Sequence, residues 1–348
     1  MVVGALLILL SLSLLLLPAI DAFCIGSTIN NNKRLSISLQ MQQKDTESVS
    51  IEEYQHKDFK LTYLYKKASP GRENDPPIIL IHPVGIGLSS WFWKKILDSY
   101  DNNPAIYAPD LIGCGIDHGA DAWYPDENGL FFPLSWVEGV ETLLNTIVIP
   151  RWKEKQLPFF RDNSSGCLVV AQGGLAPVGI MLAKRNTCIS NLMLTSPPTY
   201  NDITTAIPQA ELTKNYNFLS SPILGRLAFT LLESGDIIKF FSNLFLFQDK
   251  CDEDWLDEAE KELCEEARPP VQAFNAGLLQ HRSFKEELRD MTQPLWIVSG
   301  EGDKRVKDRQ SYQSELGERC KLISISGLNV LPYENPEDVV KLIQDIGY

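Results

Sequence analysis

The chain has 348 residues, of which 44% are hydrophobic, 22% charged and 9% aromatic. That composition excludes collagen, coiled coil and wholesale disorder, and the length accommodates one large domain behind a leader. A net charge of −13 with no basic stripe argues against a nucleic-acid surface, which needs clustered Lys and Arg to neutralise phosphates.

At the N-terminus, Ala5–Leu17 (ALLILLSLSLLLL) is an apolar core too short for a comfortable membrane span and of the length of a signal-peptide core. Ala22-Phe23 offers a cleavage point, although no Lys or Arg precedes the core and Ile20 is large for the site. Phe23–Gln43 is rich in Ser and Asn, carries Lys33 and Arg34 and has no acidic residue, which is the composition of a transit peptide. A hydrophobic signal followed by such a stretch, with Phe at the junction, resembles the two-part plastid leader of diatoms and related algae. The expectation is a signal peptide over 1–22, a transit-like segment over 23–47 and a plastid location. A secretory signal with a linker, or simple membrane anchoring, is the alternative.

From about residue 48, short β-rich runs alternate with helical patterns, which predicts a mostly parallel sheet with helices on both faces. Phe59–Tyr65 reads as an early strand. Ile78–Ile81 is a continuous apolar run of the kind buried on both faces, and Ala105–Ala108 is the next strand. Trp136–Ile147 has helical spacing. Cys167–Ala171 is a buried strand that runs into Gly173-Gly174 and a helix through about Lys184. Asn191–Thr195, Leu295–Ser299 and Lys321–Ile325 complete the strands, and Pro336–Ile346 is a closing helix. Between them, about 197–289 has helical runs such as Asp254–Glu266 and no strand, predicting a cap over the C-terminal edge of the sheet, where ligands sit in such folds. The seven cysteines are scattered, odd in number and without a CxxC pair, so free thiols are expected rather than a zinc site or a disulfide framework. No HExxH, P-loop or GxGxxG pattern occurs, so no metal or cofactor is expected.

Four motifs in order carry a resemblance. Ile81-His82-Pro83-Val84-Gly85 follows the third strand, and Pro109-Asp110-Leu111-Ile112-Gly113-Cys114-Gly115 follows the fourth. Val298-Ser299-Gly300-Glu301-Gly302-Asp303 ends a late strand, and Gly327-Leu328-Asn329-Val330-Leu331-Pro332-Tyr333-Glu334-Asn335-Pro336-Glu337 precedes the last helix. Along roughly 50–348 the chain resembles the α/β-hydrolase superfamily, and within it a cyanobacterial and plastid branch with His-Pro-Val-Gly, Leu-x-Gly-Cys-Gly and Asn-Val-Leu-Pro-Tyr-Glu. The resemblance implies a twisted, mostly parallel sheet with an inserted helical cap.

It also implies where a Ser–His–acid triad should stand. The nucleophile belongs on a strained turn between strand and helix, within Gly-x-Ser-x-Gly. Here the junction reads Val170-Ala171-Gln172-Gly173-Gly174-Leu175-Ala176. Ungapped alignment puts Gly173 at the serine position; a one-residue shift that keeps the paired glycines puts Gln172 there. Neither can form an acyl-enzyme. Glycine suits such an elbow, and losing the serine relieves strain of roughly 1–3 kcal/mol. Leu175 stands where a small residue normally lets helix and strand approach.

The four histidines are His56, His82, His118 and His281, so none follows the last strand, where the catalytic one belongs. Asn329 takes that place and cannot serve as a general base near neutral pH. Asp303 keeps the acid's position with no imidazole to orient, and a helix N-cap is its expected role. The oxyanion donors implied by the resemblance are the backbone N–H groups of Val84 and Gly174, with His82 bracing the loop. Gln172, Ser196 and His82 are the further candidates for a pocket. Cys114 with His118 is a conceivable replacement pair, whereas Ser164 and Ser165 precede their strand at the wrong edge.

The leading expectation is therefore a non-hydrolytic plastid protein binding a small apolar or carbonyl-bearing ligand, or a protein partner, under the cap. Trp255, Phe229, Phe240, Phe241, Phe245 and Phe247 are candidates to line an apolar pocket or simply to pack helices. The alternatives are an enzyme using unconventional chemistry (a lyase, an isomerase or a water-mediated hydrolase built on His82, Asp303, Gln172 and Asn329) and an ester hydrolase on lipid or pigment esters.

Overall fold

The computed structural model describes residues 49–129, 133–155 and 166–348. The leader over 1–47, and with it Ser164 and Ser165, lies outside the described residues. Among the described residues no helix is long and apolar enough to cross a membrane.

Among the described residues, eight strands form one sheet: β1 (Ser50–His56), β2 (Phe59–Lys66), β3 (Ile78–Ile81), β4 (Ile106–Pro109), β5 (Cys167–Gln172), β6 (Ile189–Thr195), β7 (Leu295–Gly300) and β8 (Cys320–Ile325). Their order is β1-β2-β4-β3-β5-β6-β7-β8. β1 and β2 pair antiparallel, as do β2 and β4, and every pair from β4 to β8 is parallel. Every residue of β3 and β5 is buried, as helices on both faces require of a central parallel strand.

β1 is the strand that sequence patterning did not single out. Its residues SIEEYQH are mostly exposed or half-buried, as suits an edge strand. It turns into β2 through Lys57-Asp58, with His56 paired to Phe59 and Lys57 at φ 53. Such two-residue hairpins usually announce themselves with Asn-Gly or Asp-Gly, and this one lacks the glycine.

Between β6 and β7 the described chain holds helices and no strand, as expected of the cap. Trp255, Phe229 and Phe247 are buried there, so these aromatics serve packing. Trp255 meets Trp91 and Tyr333 edge-on, with ring centroids 5.2 and 4.9 Å apart, joining the cap to the loop after β3 and to the last helical region. Phe240 and Phe245 are instead exposed. The closing helix, Pro336–Ile346, begins with proline, carries Glu337 and Asp338 in its first turn and stops at Gly347 in the left-handed conformation.

Candidate functional site

The parallel strands end along one rim, and the motif residues gather there. At the end of β5 the chain turns from an extended Gln172 (φ −91, ψ 131) through Gly173 at φ +59 into the helix Ala176–Arg185. Gly173, rather than Gln172, therefore occupies the bend. A Cβ added at Gly173 would meet nothing within 4 Å, so the place where a nucleophile would project is open space. Leu175 is fully buried and does not prevent the bend; the close helix–strand approach falls at Gly179, whose added Cβ would lie 3.0 Å from that of Ala171. Above the next residue the space is filled. A Cβ on Gly174 would come within 2.4 Å of the Phe274 ring, so this cap aromatic packs against Gly174.

The other two triad positions are engaged elsewhere. Asn329 Nδ2 donates to the carbonyl of Phe245, and the N–H groups of Asn329 and Val330 donate to Leu246 O at 2.9 and 3.3 Å. These three donors satisfy the last carbonyls of the π-helical turn Ser242–Leu246, which no intrahelical donor reaches. Asp303 is not the helix N-cap expected of it. Its Oδ1 accepts from Arg305 N at 2.9 Å within a turn, and its Oδ2 lies 2.7 Å from Arg309 Nη1. That second contact is a charge pairing outside aligned hydrogen-bond geometry. Arg309 is buried and also donates through Nε to Pro197 O at 2.6 Å and through Nη1 to Ser299 Oγ at 3.2 Å. Asp303 is half of a buried ion pair whose arginine staples the start of the cap to the end of β7.

His82 and Gln172, candidates for a pocket, are both buried and bonded to neighbouring loops. Gln172 is 3% exposed; its Nε2 donates to Asn329 O at 2.6 Å and its Oε1 accepts from Thr195 Oγ1 at 2.6 Å. It bonds the bend to the loop after β8. His82 is fully buried and braces two loops: Leu111 N donates to its Nε2 at 3.1 Å, so the proton sits on Nδ1, which donates to Pro83 O at 2.8 Å. Burial lowers its pKa, consistent with this neutral ring. Ser196 is also buried, at φ 45, with its hydroxyl 3.4 Å from Leu328 O and no histidine bonded to it among the described residues. By contrast, no described hydrogen bond uses the N–H of Val84 or of Gly174. The two amides assigned as oxyanion donors are unspent.

One constellation was not foreseen. Asp110, at the end of β4, is fully buried; its Oδ2 accepts from Thr62 Oγ1 at 2.7 Å and from His118 Nδ1 at 2.9 Å, and its Oδ1 accepts from Ser90 N at 2.8 Å. Ser90 Oγ stands 3.3 Å from the same Nδ1. Serine, histidine and aspartate are thus adjacent at the rim, but a relay requires the hydroxyl on one ring nitrogen and the carboxylate on the other. Here both converge on Nδ1, and Ser90 is fully buried. Burial alone would lower the His118 pKa; the hydrogen bond and charge of Asp110, with Glu262 of the cap, raise it. Burial, with Asp110 and Glu262, pushes the Cys114 thiol well above its ordinary value, which is the opposite of what a Cys–His nucleophile needs. Proximity in sequence pairs His118 with Cys114 rather than Asp110, and Ser90 and Glu262 are too distant in sequence to be read with it.

Among known proteins, the model of the Alpha/beta hydrolase family matches residues 78–342. No curated protein matches the sequence significantly. Solved structures similar to the chain include a serine hydrolase involved in carbazole degradation, 14% identical with a TM-score of 0.60 over 86% of this chain and 98% of that one. A thioesterase domain from the curacin biosynthetic pathway is 16% identical, with a TM-score of 0.61 over 86% of this chain and 99% of its own. A thermophilic esterase from Thermogutta terrifontis is 12% identical, with a TM-score of 0.59 over 86% and 97%. At such identities these likenesses speak for the fold and leave the chemistry to the site.

Proposed function

The chain belongs to the α/β hydrolase family, and from that premise we propose that it is a non-hydrolytic member, binding an apolar ligand with a carbonyl or carboxylate oxygen under its cap. One observation carries the reading: the bend holds Gly173 beneath open space, while the side chains at the other two triad positions are spent on structural bonds. Without a nucleophile no acyl intermediate forms, and without an imidazole no water is activated. The free amides of Val84 and Gly174 remain suited to an oxygen atom, and the Phe274 ring supplies an apolar wall. These features favour a small ligand over a plastid protein as the partner. The leader's resemblance supports the plastid as the location, with the secretory pathway as the alternative.

Titration calorimetry of the mature chain with dodecanoate, its methyl ester and a matched methyl ketone tests the reading. The expected result is saturable one-to-one binding with no product formed. Absence of binding across the series, or turnover of the ester, would overturn it.

The constellation of Ser90, His118 and Asp110 favours a second reading, an enzyme using chemistry outside the usual triad. It requires the imidazole to turn so that its two nitrogens serve different partners. A fluorophosphonate reagent that labels the protein at Ser90, and fails to label a Ser90→Ala variant, would establish this second reading in place of the first.

A further inference from the structure

The cysteines, scattered in sequence, are not all alone in space. Cys167 opens β5, and Cys188 stands immediately before β6, on the edge of the sheet away from the bend at Gly173. Cys167 N donates to Cys188 O at 2.7 Å. Adding standard bond lengths to that contact keeps the two Cα atoms within about 7 Å of each other, which a disulfide can span. Each thiol also shifts the titration of the other, Cys167 upward and Cys188 downward, as side chains close in space do. Cys167 is fully buried and Cys188 half-buried, so Cys188 is the more accessible of the two.

We propose that Cys167 and Cys188 are a reversible dithiol–disulfide site that reacts with small disulfides of the oxidised-glutathione class. The Cys188 thiolate attacks one sulfur of the reagent, forming a mixed disulfide and expelling one thiolate, which takes up a proton. Cys167 then loses its proton and attacks the Cys188 sulfur, closing the bridge and expelling the second thiol. The pair gives up two protons and two electrons, and the reagent leaves as two thiols. The neighbouring Cys167 thiol lowers the Cys188 pKa, and Lys153 acts in the same direction against burial and Glu141. Burial raises Cys114, Cys251, Cys264 and Cys320, so these four are poorer attackers.

The bridge closes a loop that contains β5, the bend at Gly173 and the helix Ala176–Arg185, the unit that builds the candidate site. Cross-linking a loop of this length removes freedom from the unfolded chain and raises the thermal midpoint by about 5 °C.

The test equilibrates the full chain in reduced and oxidised glutathione at graded ratios, quenches with acid and tags the remaining thiols with a maleimide. On oxidation two tags should be lost, and tryptic peptides 162–184 and 186–214 should emerge as one linked species. The thermal midpoint should rise together with the linkage. A Cys188→Ser variant should lose both effects and a Cys320→Ser variant should keep them. An unchanged tag count, a glutathione adduct on Cys188 that never closes, or a bridge between other cysteines would each overturn the proposal. The linked-peptide measurement is made on the native chain, so it decides the matter even where a variant folds poorly.

Discussion

Gly173 holds a backbone conformation that side chains with a Cβ adopt at a cost of about 1–2 kcal/mol, yet the space beside it is empty. A Gly173→Ser variant should therefore fold with a lower urea midpoint by roughly that amount. It should show no ester turnover, because Asn329 cannot take the proton from a serine. Turnover in a chromogenic ester assay would reveal a base that this geometry lacks. Arg309 bears on stability more heavily. Replacing it by Met leaves the buried Asp303 without a counter-charge, a change that typically costs about 3–5 kcal/mol. Urea unfolding of Arg309→Met checks this, and a loss below about 1 kcal/mol would show that Asp303 is not held by the pairing.

At the scale of elements, the loop after β8 forms a seam with the cap. Besides the bonds of Asn329 and Val330, Gly327 N donates to Gln248 Oε1 at 3.0 Å, and Leu328 N donates to Glu334 Oε2 at 2.8 Å. Gln248 N closes the seam by donating to Glu334 Oε1 at 2.6 Å. Asn329→Ala removes the side-chain bond to Phe245 and keeps the two backbone ones, so the expected cost is about 1 kcal/mol. Hydrogen exchange should localise the effect, with faster exchange over 242–248 and no change in β5. Uniform loss of protection would mean that the seam is not a separate unit.

Across the whole molecule, the core and the cap meet at Asp110, His118 and Glu262, and pH acts there. His118 has its pKa raised in the fold, so it contributes stability fully below its unfolded value of about 6.5 and loses it as pH rises through the folded value. For Asp110, burial raises the pKa, but the hydrogen bond and charge of His118 bring the net value below normal. Its contribution is present above about 4 and fades as pH falls through the folded value. His82, His56 and His281 are lowered, chiefly by burial, and act in the opposite sense to His118. The difference between the native chain and His118→Gln isolates the pair. Denaturant unfolding from pH 5 to 9 should show that difference largest near pH 5 to 6 and shrinking toward pH 9. A constant difference would mean that His118 is not charged in the fold.

Much of the fold was legible because continuous apolar runs such as Ile78–Ile81 and Cys167–Ala171 can only be buried between layers of helices, whatever surrounds them. The absence of a histidine beyond residue 281 and of a serine at the junction was likewise plain in the sequence, since a missing atom needs no coordinates. Only the tertiary structure could put Gly173 rather than Gln172 on the bend, because the two alignments differ by one residue and the backbone dihedral decides between them. The partnership of Asp303 with Arg309, the convergence of Ser90 and Asp110 on one nitrogen of His118, and the meeting of Cys167 with Cys188 were also hidden. Hydrogen bonds and ion pairs depend on separations of a few ångströms between groups far apart along the chain, and local pattern carries no record of those.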